Sequence, residues 1–151
     1  MINKILTAHK EMEKNPTYLF VVAAALIDKN GRILVQKRPA GKPMAGLWEF
    51  PGGKVEKGET PEEGLMRELN EELAIEVDQR DIETVAFASE ALEGRHLVLL
   101  LYLCRQWAGP VQSADSLDLQ WLPIEAIRSL PMPPADGPLV DKLSNFIGSR
   151  G

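Results

Sequence analysis

Residues 51–75 read PGGKVEKGETPEEGLMRELNEELAI, and hold seven glutamates against three basic side chains, Lys54, Lys57 and Arg67. Thr60-Pro61-Glu62-Glu63 is a helix start carrying three agreeing signals: a threonine N-cap, proline at the first helical position and a glutamate that completes a capping box. The helix is predicted from Pro61 to about Leu73. At about 100° per residue, Glu68, Glu71 and Glu72 share one face, while Leu65, Met66, Leu69 and Leu73 take the neighbouring arc and turn to a core. Like charges at this spacing cost an isolated helix a few tenths of a kcal/mol per pair. A solvated face would tolerate that cost, and a divalent cation held by hard oxygen ligands would remove it. Pro51-Gly52-Gly53 favours the cation, since glycines permit close backbone approach and offer a carbonyl ligand or phosphate-binding amides that a surface helix does not need.

Outward from the helix, residues 18–27 form an apolar run and residues 32–37 alternate, with Asp28-Lys29-Asn30-Gly31 between them as turn chemistry. This pattern predicts a β-hairpin. A Pro/Gly-rich loop then leads to a short strand at Trp48. Further strands are expected near residues 84–89, 96–107 and 119–122, and helices over 124–130 and 138–147. Strands, helix, strands and then helices indicate a mixed α+β sandwich rather than a βαβ repeat. Ile2, Ile5, Leu6, His9 and Met12 stand at helical spacing, so residues 1–16 read as an amphipathic leader preceding one domain over residues 17–151.

The formal charge of −5 and the pI near 5.1 argue against duplex DNA or an anionic membrane as partner. Cys104 is the single cysteine, which rules out an intramolecular disulfide and a cysteine-based zinc site. No apolar run approaches the 18 or more residues of a spanning helix, and residues 1–15 match neither a secretory signal nor a transit peptide. A cytoplasmic protein is expected.

Gly53, then Glu59 after five residues, then Arg67-Glu68-Leu69-Asn70-Glu71-Glu72-Leu73-Ala74-Ile75 after seven more, resembles the Nudix box, GX5EX7REUXEEXGU with U aliphatic. Eight of its nine restricted positions match, and Ala74 departs from the family glycine. The resemblance implies an α/β/α sandwich with a mixed sheet. It further implies Mg²⁺ or Mn²⁺ and hydrolysis of a nucleoside diphosphate linked to another moiety by attack of water on phosphorus. By similarity Glu68, Glu71 and Glu72, with the Gly52 carbonyl, ligate metal, and Glu68 is the expected base. Gly53, Glu59 and Arg67 take structural roles, Glu59 and Arg67 as an ion pair. If position 74 is a left-handed cap, alanine costs about 1 kcal/mol there.

The flanks LVQKRP, LWEFPGGKVEKGETPEE, RHLVLLLYLCRQWAGPV, QWLP and MPPADGPLVDKL are similar to the MutT branch, the bacterial 8-oxo-dGTP diphosphatases. On that register Asp115 matches a further acidic metal ligand, although it reads equally as a solvated turn residue. Arg38 matches an arginine that approaches the purine carbonyl, the alternative being a surface charge at a strand end. Arg95-His96 matches an Arg-His pair at the nucleotide pocket, where His96 is better read as a satisfied, partly buried histidine. Asp136 stands where MutT has asparagine. An amide donates to O6 and accepts from the N7–H of 8-oxoguanine, whereas an ionised aspartate only accepts. Asp136 equally suits a helix cap. Trp48 is either a wall for the base or core, and Lys54 with Arg38 supplies local positive potential for a triphosphate.

The resemblance thus implies a nucleoside triphosphate pyrophosphohydrolase that yields a monophosphate and pyrophosphate, with 8-oxo-dGTP the leading substrate. CTP, another triphosphate or a dinucleotide such as ADP-ribose is the near alternative, and a non-catalytic binding module the distant one. Neither a nucleic acid polymer nor a membrane is expected as partner, and monomer and homodimer stay open.

Overall fold

The computed structural model describes residues 17–115 and 117–150, Arg150 by its backbone alone; the expected leader over residues 1–16 lies outside the described residues. Strands β1 (Thr17–Leu26), β2 (Ile33–Lys37), β3 (Trp48–Glu49) and β4 (Gly52–Lys54) precede helix α1 (Pro61–Leu73). A 3₁₀ turn at Gln79–Asp81 leads to β5 (Ile82–Leu92), β6 (Arg95–Cys104) and β7 (Leu119–Leu122), then α2 (Ile124–Ile127) and α3 (Asp136–Arg150). One sheet has the order β4-β1-β6-β5 and a second the order β3-β2-β7. β1 runs parallel to β6 and antiparallel to β4, so the larger sheet is mixed.

Both faces of that sheet are covered along the second halves of β1 and β6, which is why those halves are continuously apolar rather than alternating. Val22, Ala24 and Leu26, with Tyr102 and Cys104, pack against Leu65, Leu69 and Leu73 of α1. Ala23, Ala25 and Ile27, with Leu99, Leu101 and Leu103, pack on the other side against Leu139, Val140 and Leu143 of α3. The layers are helix, sheet and helix, as the fold-class expectation has it.

The expected hairpin of residues 18–27 with 32–37 does not form. Its turn exists, with Asp28 Oδ1 accepting from the backbone N–H of Asn30 and Arg32 at 2.9 Å each, but a single bridge, Ile27 to Ile33, follows it. β4 and β6 occupy the two edges of β1, so β2 swings away to pair with β3 and β7. The turn is local chemistry and reads from four residues; strand partnership is set by whichever distant edge is free.

Other boundaries shift by a few residues. β5 and β6 are longer than expected at their joint, a two-residue connection of Glu93 and Gly94, whose φ of 73° only glycine adopts cheaply. β6 ends at Cys104, short of Trp107, whose ring instead stacks on Trp121 with centroids 6.0 Å apart. α2 ends at Ile127 and α3 begins two residues before Pro138.

The capping box of α1 is complete: Glu63 N–H donates to Thr60 Oγ1 at 3.1 Å and Thr60 N–H to Glu63 Oε1 at 3.4 Å. At the other end Ala74 has φ 57° and ψ 30°, and its N–H bonds the Asn70 carbonyl at 3.0 Å. This is the left-handed cap that the family glycine serves. Ala74→Gly is therefore expected to raise unfolding free energy by about 1 kcal/mol, read as a higher urea midpoint at unchanged slope. An unmoved midpoint would refute it. Two further carbonyls of this terminus, Glu72 and Leu73, accept from Ala114 and Gln112 N–H at 2.9 and 3.0 Å, so a distant loop completes the cap.

Candidate active site

β4 lies antiparallel against β1, with Gly53 opposite Val22 and Gly52 opposite Ala23, and this places the two glycines under the acidic face of α1. Neither position has room for a side chain. A Cβ on Gly52 would stand 1.9 Å from the Val22 carbonyl oxygen, and one on Gly53 2.4–2.6 Å from the Glu68 carboxyl group. The Gly52 N–H donates to Glu72 Oε2 at 3.3 Å. Of the Gly52 backbone it is thus the amide that meets the acidic face, whereas the resemblance implies a carbonyl ligand.

Arg67 sits at the centre of the motif. Its Nε and one Nη form a fork on Glu59 at 2.6 and 2.9 Å, and that Nη also donates to the Lys54 carbonyl at 3.0 Å. The other Nη reaches Glu68 at 2.9 Å and Glu71 at 3.2 Å, with Glu56 at 3.7 Å. The hydrogen bond to Glu59 holds the guanidinium charged well beyond its ordinary range, and the bonds from Arg67 and from Glu56 N–H hold the Glu59 carboxyl below its own. One guanidinium thereby ties the strand end, the loop and two glutamates of α1 into one unit.

Glu72 is the inner carboxylate. Burial first, then the charge of Glu68 and that of Glu49, push its pKa up to about 7 against the opposing Gly52 N–H and Gln36 amide. The structure brings Gly52, Gly53, Glu68 and Glu72 together. It leaves Glu71 at the rim, its side chain 59% exposed, and Asp115 exposed in the loop whose Ala114 N–H bonds the Glu72 carbonyl. Among the described residues no three of these side chains converge closely enough to enclose an ion as they stand.

A second cluster lies where α3 begins. Asp136, only 6% exposed, opens that helix. Burial first, then the charges of Glu49 and Glu90, raise its pKa to about 7, with Arg38 opposing. Arg38 donates to Glu49 at 2.8 Å and to the Pro43 carbonyl at 2.8 Å, and the Gln36 amide lies 3.4 Å from Glu49. Arg38 also borders an open cavity of about 510 Å³ lined by Lys37, Pro39, Ala45, Leu117 and Asp118. Glu49 thus faces both clusters, since it raises Glu72 as well as Asp136.

Sequence reading missed Gln36, Glu49 and Glu90. Gln36 left a signal, a polar residue in the apolar strand ILVQK that is 4% exposed; Glu49 and Glu90 left none. Trp48 is half-buried against the α3-side core, with its backbone N–H donating to the Pro131 carbonyl at 2.8 Å. Lys54 is exposed and meets Arg67 through its carbonyl. Arg95 is exposed at the start of β6, opposite Leu92. His96 takes the other face, bonded to Ser89 and edge-on to Tyr18.

The NUDIX domain pattern matches residues 17–143. The chain belongs to the NUDIX family. It is 40% identical over 129 residues to the CTP pyrophosphohydrolase of Escherichia coli K12, covering 85% of this chain and 94% of that one. To the 8-oxo-dGTP diphosphatase of the same organism it is 32% identical over 132 residues, covering 85% and 98%. The solution structure of the E. coli ORF135 protein superposes with a TM-score of 0.79 at 37% identity, over 89% of this chain and 94% of the other. This NUDIX protein is accordingly a pyrophosphohydrolase that acts on phosphoric anhydride bonds of small nucleotides. Among its described residues no helix is long and apolar enough to cross a membrane.

Proposed function

We propose that this NUDIX enzyme is Mg²⁺-dependent and cleaves nucleoside triphosphates to monophosphate and pyrophosphate, with 8-oxo-dGTP the preferred substrate. The donor chemistry suits a hard divalent cation: Glu68 stands close enough to Glu72 for its charge to oppose ionisation of Glu72, and Glu71 lies on the same helix face, bonded to Arg67 at 3.2 Å. Gly52, Glu68, Glu71 and Glu72 would hold the ion, with Asp115 within reach of the same loop. When bound it neutralises phosphate charge and makes water more acidic. Glu68, oriented by Arg67 at 2.9 Å, takes a proton from the attacking water as its oxygen bonds to phosphorus and the anhydride P–O bond breaks, releasing pyrophosphate.

The observation that carries the substrate reading is Asp136. With a pKa near 7 the buried carboxyl is half protonated at neutrality. In that form it does what an amide does, donating to O6 through its O–H and accepting N7–H through its other oxygen. A second reading is favoured by the same pair of atoms, because a neutral acid also donates to N3 and accepts from N4 of cytosine, and a relative with 40% identity carries CTP in its name.

Below pH 7 the donor form dominates and the preference for 8-oxo-dGTP over dGTP is full; as pH rises through 7 the donor is lost and the preference falls. Losing one hydrogen bond of this kind amounts to roughly tenfold in kcat/KM. The ratio of kcat/KM for 8-oxo-dGTP and dGTP, measured from pH 6 to 8, should decline in the native enzyme and stay flat in Asp136→Asn. No advantage of 8-oxo-dGTP at pH 6 rejects the cleansing role, and a larger kcat/KM for CTP establishes the second reading.

A further inference from the structure

The face of the larger sheet that carries α1 is only half covered. Along β1 on that face, Val22, Ala24 and Leu26 are wholly buried, whereas Tyr18 and Phe20 are 47% and 46% exposed. Beside them in the sheet lie His96 and Val98, and across β6 on the same face stands Phe87, 60% exposed. The rings of Tyr18 and Phe20 stack at 6.2 Å and His96 meets Tyr18 edge-on at 5.8 Å, so these three rings form one continuous patch, with Phe87 two strands away on the same face. Contiguous exposed aromatic surface on a folded domain marks an interaction site.

We propose that the patch is covered by this chain's own leader, residues 2–12. The chain enters the described fold at Thr17, immediately beside Tyr18, so residues 2–12 are tethered next to the patch. The stripe Ile2, Ile5, Leu6 and Met12 would be about 15 Å long at helical rise. Along the strands the exposed groups extend about 13 Å, from Tyr18 to the level of Phe87, which pairs with Leu100 beside the buried Val22, and the three strands β1, β6 and β5 are roughly 10 Å across. A second copy of the chain is the poorer occupant. Three aromatic side chains about half exposed offer roughly 300 Å², well below the ~800 Å² per partner of a standard interface.

A nitroxide attached at Thr7→Cys in the full chain, off the apolar stripe, tests this, with the wholly buried Cys104 left in place. The amide signals of Val98 and Phe87, remote in sequence from the label, are expected to lose more than half their intensity and to regain it when the nitroxide is reduced. Adding Leu6→Glu to the labelled chain is expected to restore them as well. Undiminished Val98 and Phe87 signals would overturn the proposal. So would their loss in an equimolar mixture of nitroxide-bearing chain and label-free, ¹⁵N-enriched chain, which would assign the patch to a second copy.

Discussion

Glu68→Gln lowers kcat for nucleoside triphosphate hydrolysis by about 10³-fold or more, the combined loss of a proton acceptor and of electrostatic stabilisation, and leaves the fold intact. Glutamine keeps the length of the side chain and an oxygen for Arg67, whose fork on Glu59 does not involve Glu68 at all. Stability at pH 7 should rise slightly, because the charge of Glu68 is the second largest influence holding Glu72 at high pKa. With that neighbour neutral, Glu72 ionises more readily in the folded state and the penalty above pH 7 shrinks. Pyrophosphate release and a thermal melt at pH 7 check the two halves. Activity within tenfold of native would remove Glu68 from the chemistry, and a collapsed melt would show that its role is structural.

Gly52→Ala should cost about 3 kcal/mol of stability or more, together with most of the activity, because the new methyl meets backbone rather than side chain. Its nearest neighbours are the Val22 carbonyl oxygen at 1.9 Å and the Ala23 Cα at 2.7 Å, and neither can move without parting β4 from β1. The Gly52 N–H to Glu72 bond is lost with that register. Gly53→Ala makes the contrasting control. There the obstacle is the Glu68 carboxyl group, the far end of a flexible side chain, so the fold survives while the carboxylate is displaced. Urea midpoints and kcat for the pair separate the cases, and a Gly52→Ala protein as stable as native would contradict the packing of β4 on β1.

What was legible in the sequence was whatever is decided within a few residues. Thr60, Pro61 and Glu63 place the start of α1 because the capping box closes on itself, and the spacing of Glu68, Glu71 and Glu72 follows from helix geometry alone. The hairpin expectation shows the limit: Asp28 to Gly31 make the turn, but the partners of β1 lie some 30 and 80 positions further along the chain. The site divides the same way. The motif glutamates and glycines lie within residues 52–72 and could be found together. Glu49, Gln36 and Glu90 reach Glu72 or Asp136 only through sheet pairing and the placement of α3, and the near-neutral pKa of Asp136 is a product of burial that composition does not carry. The alanine at position 74 is intermediate, since its consequence depended on one backbone angle that only the structure supplies.

The parallel pairing of β1 with β6, residue for residue from Thr17 with Arg95 to Leu26 with Cys104, sets an order on synthesis. When the ribosome has finished the motif at Ile75, the surface that Leu65, Leu69 and Leu73 require is only partly made, because Val22, Ala24 and Leu26 are present but Tyr102 and Cys104 are still to come. Non-local parallel pairing forms late and leaves apolar helix faces open to misassociation meanwhile. A nascent chain stalled before residue 104 therefore carries the whole glutamate motif without the strand that completes the sheet beneath α1.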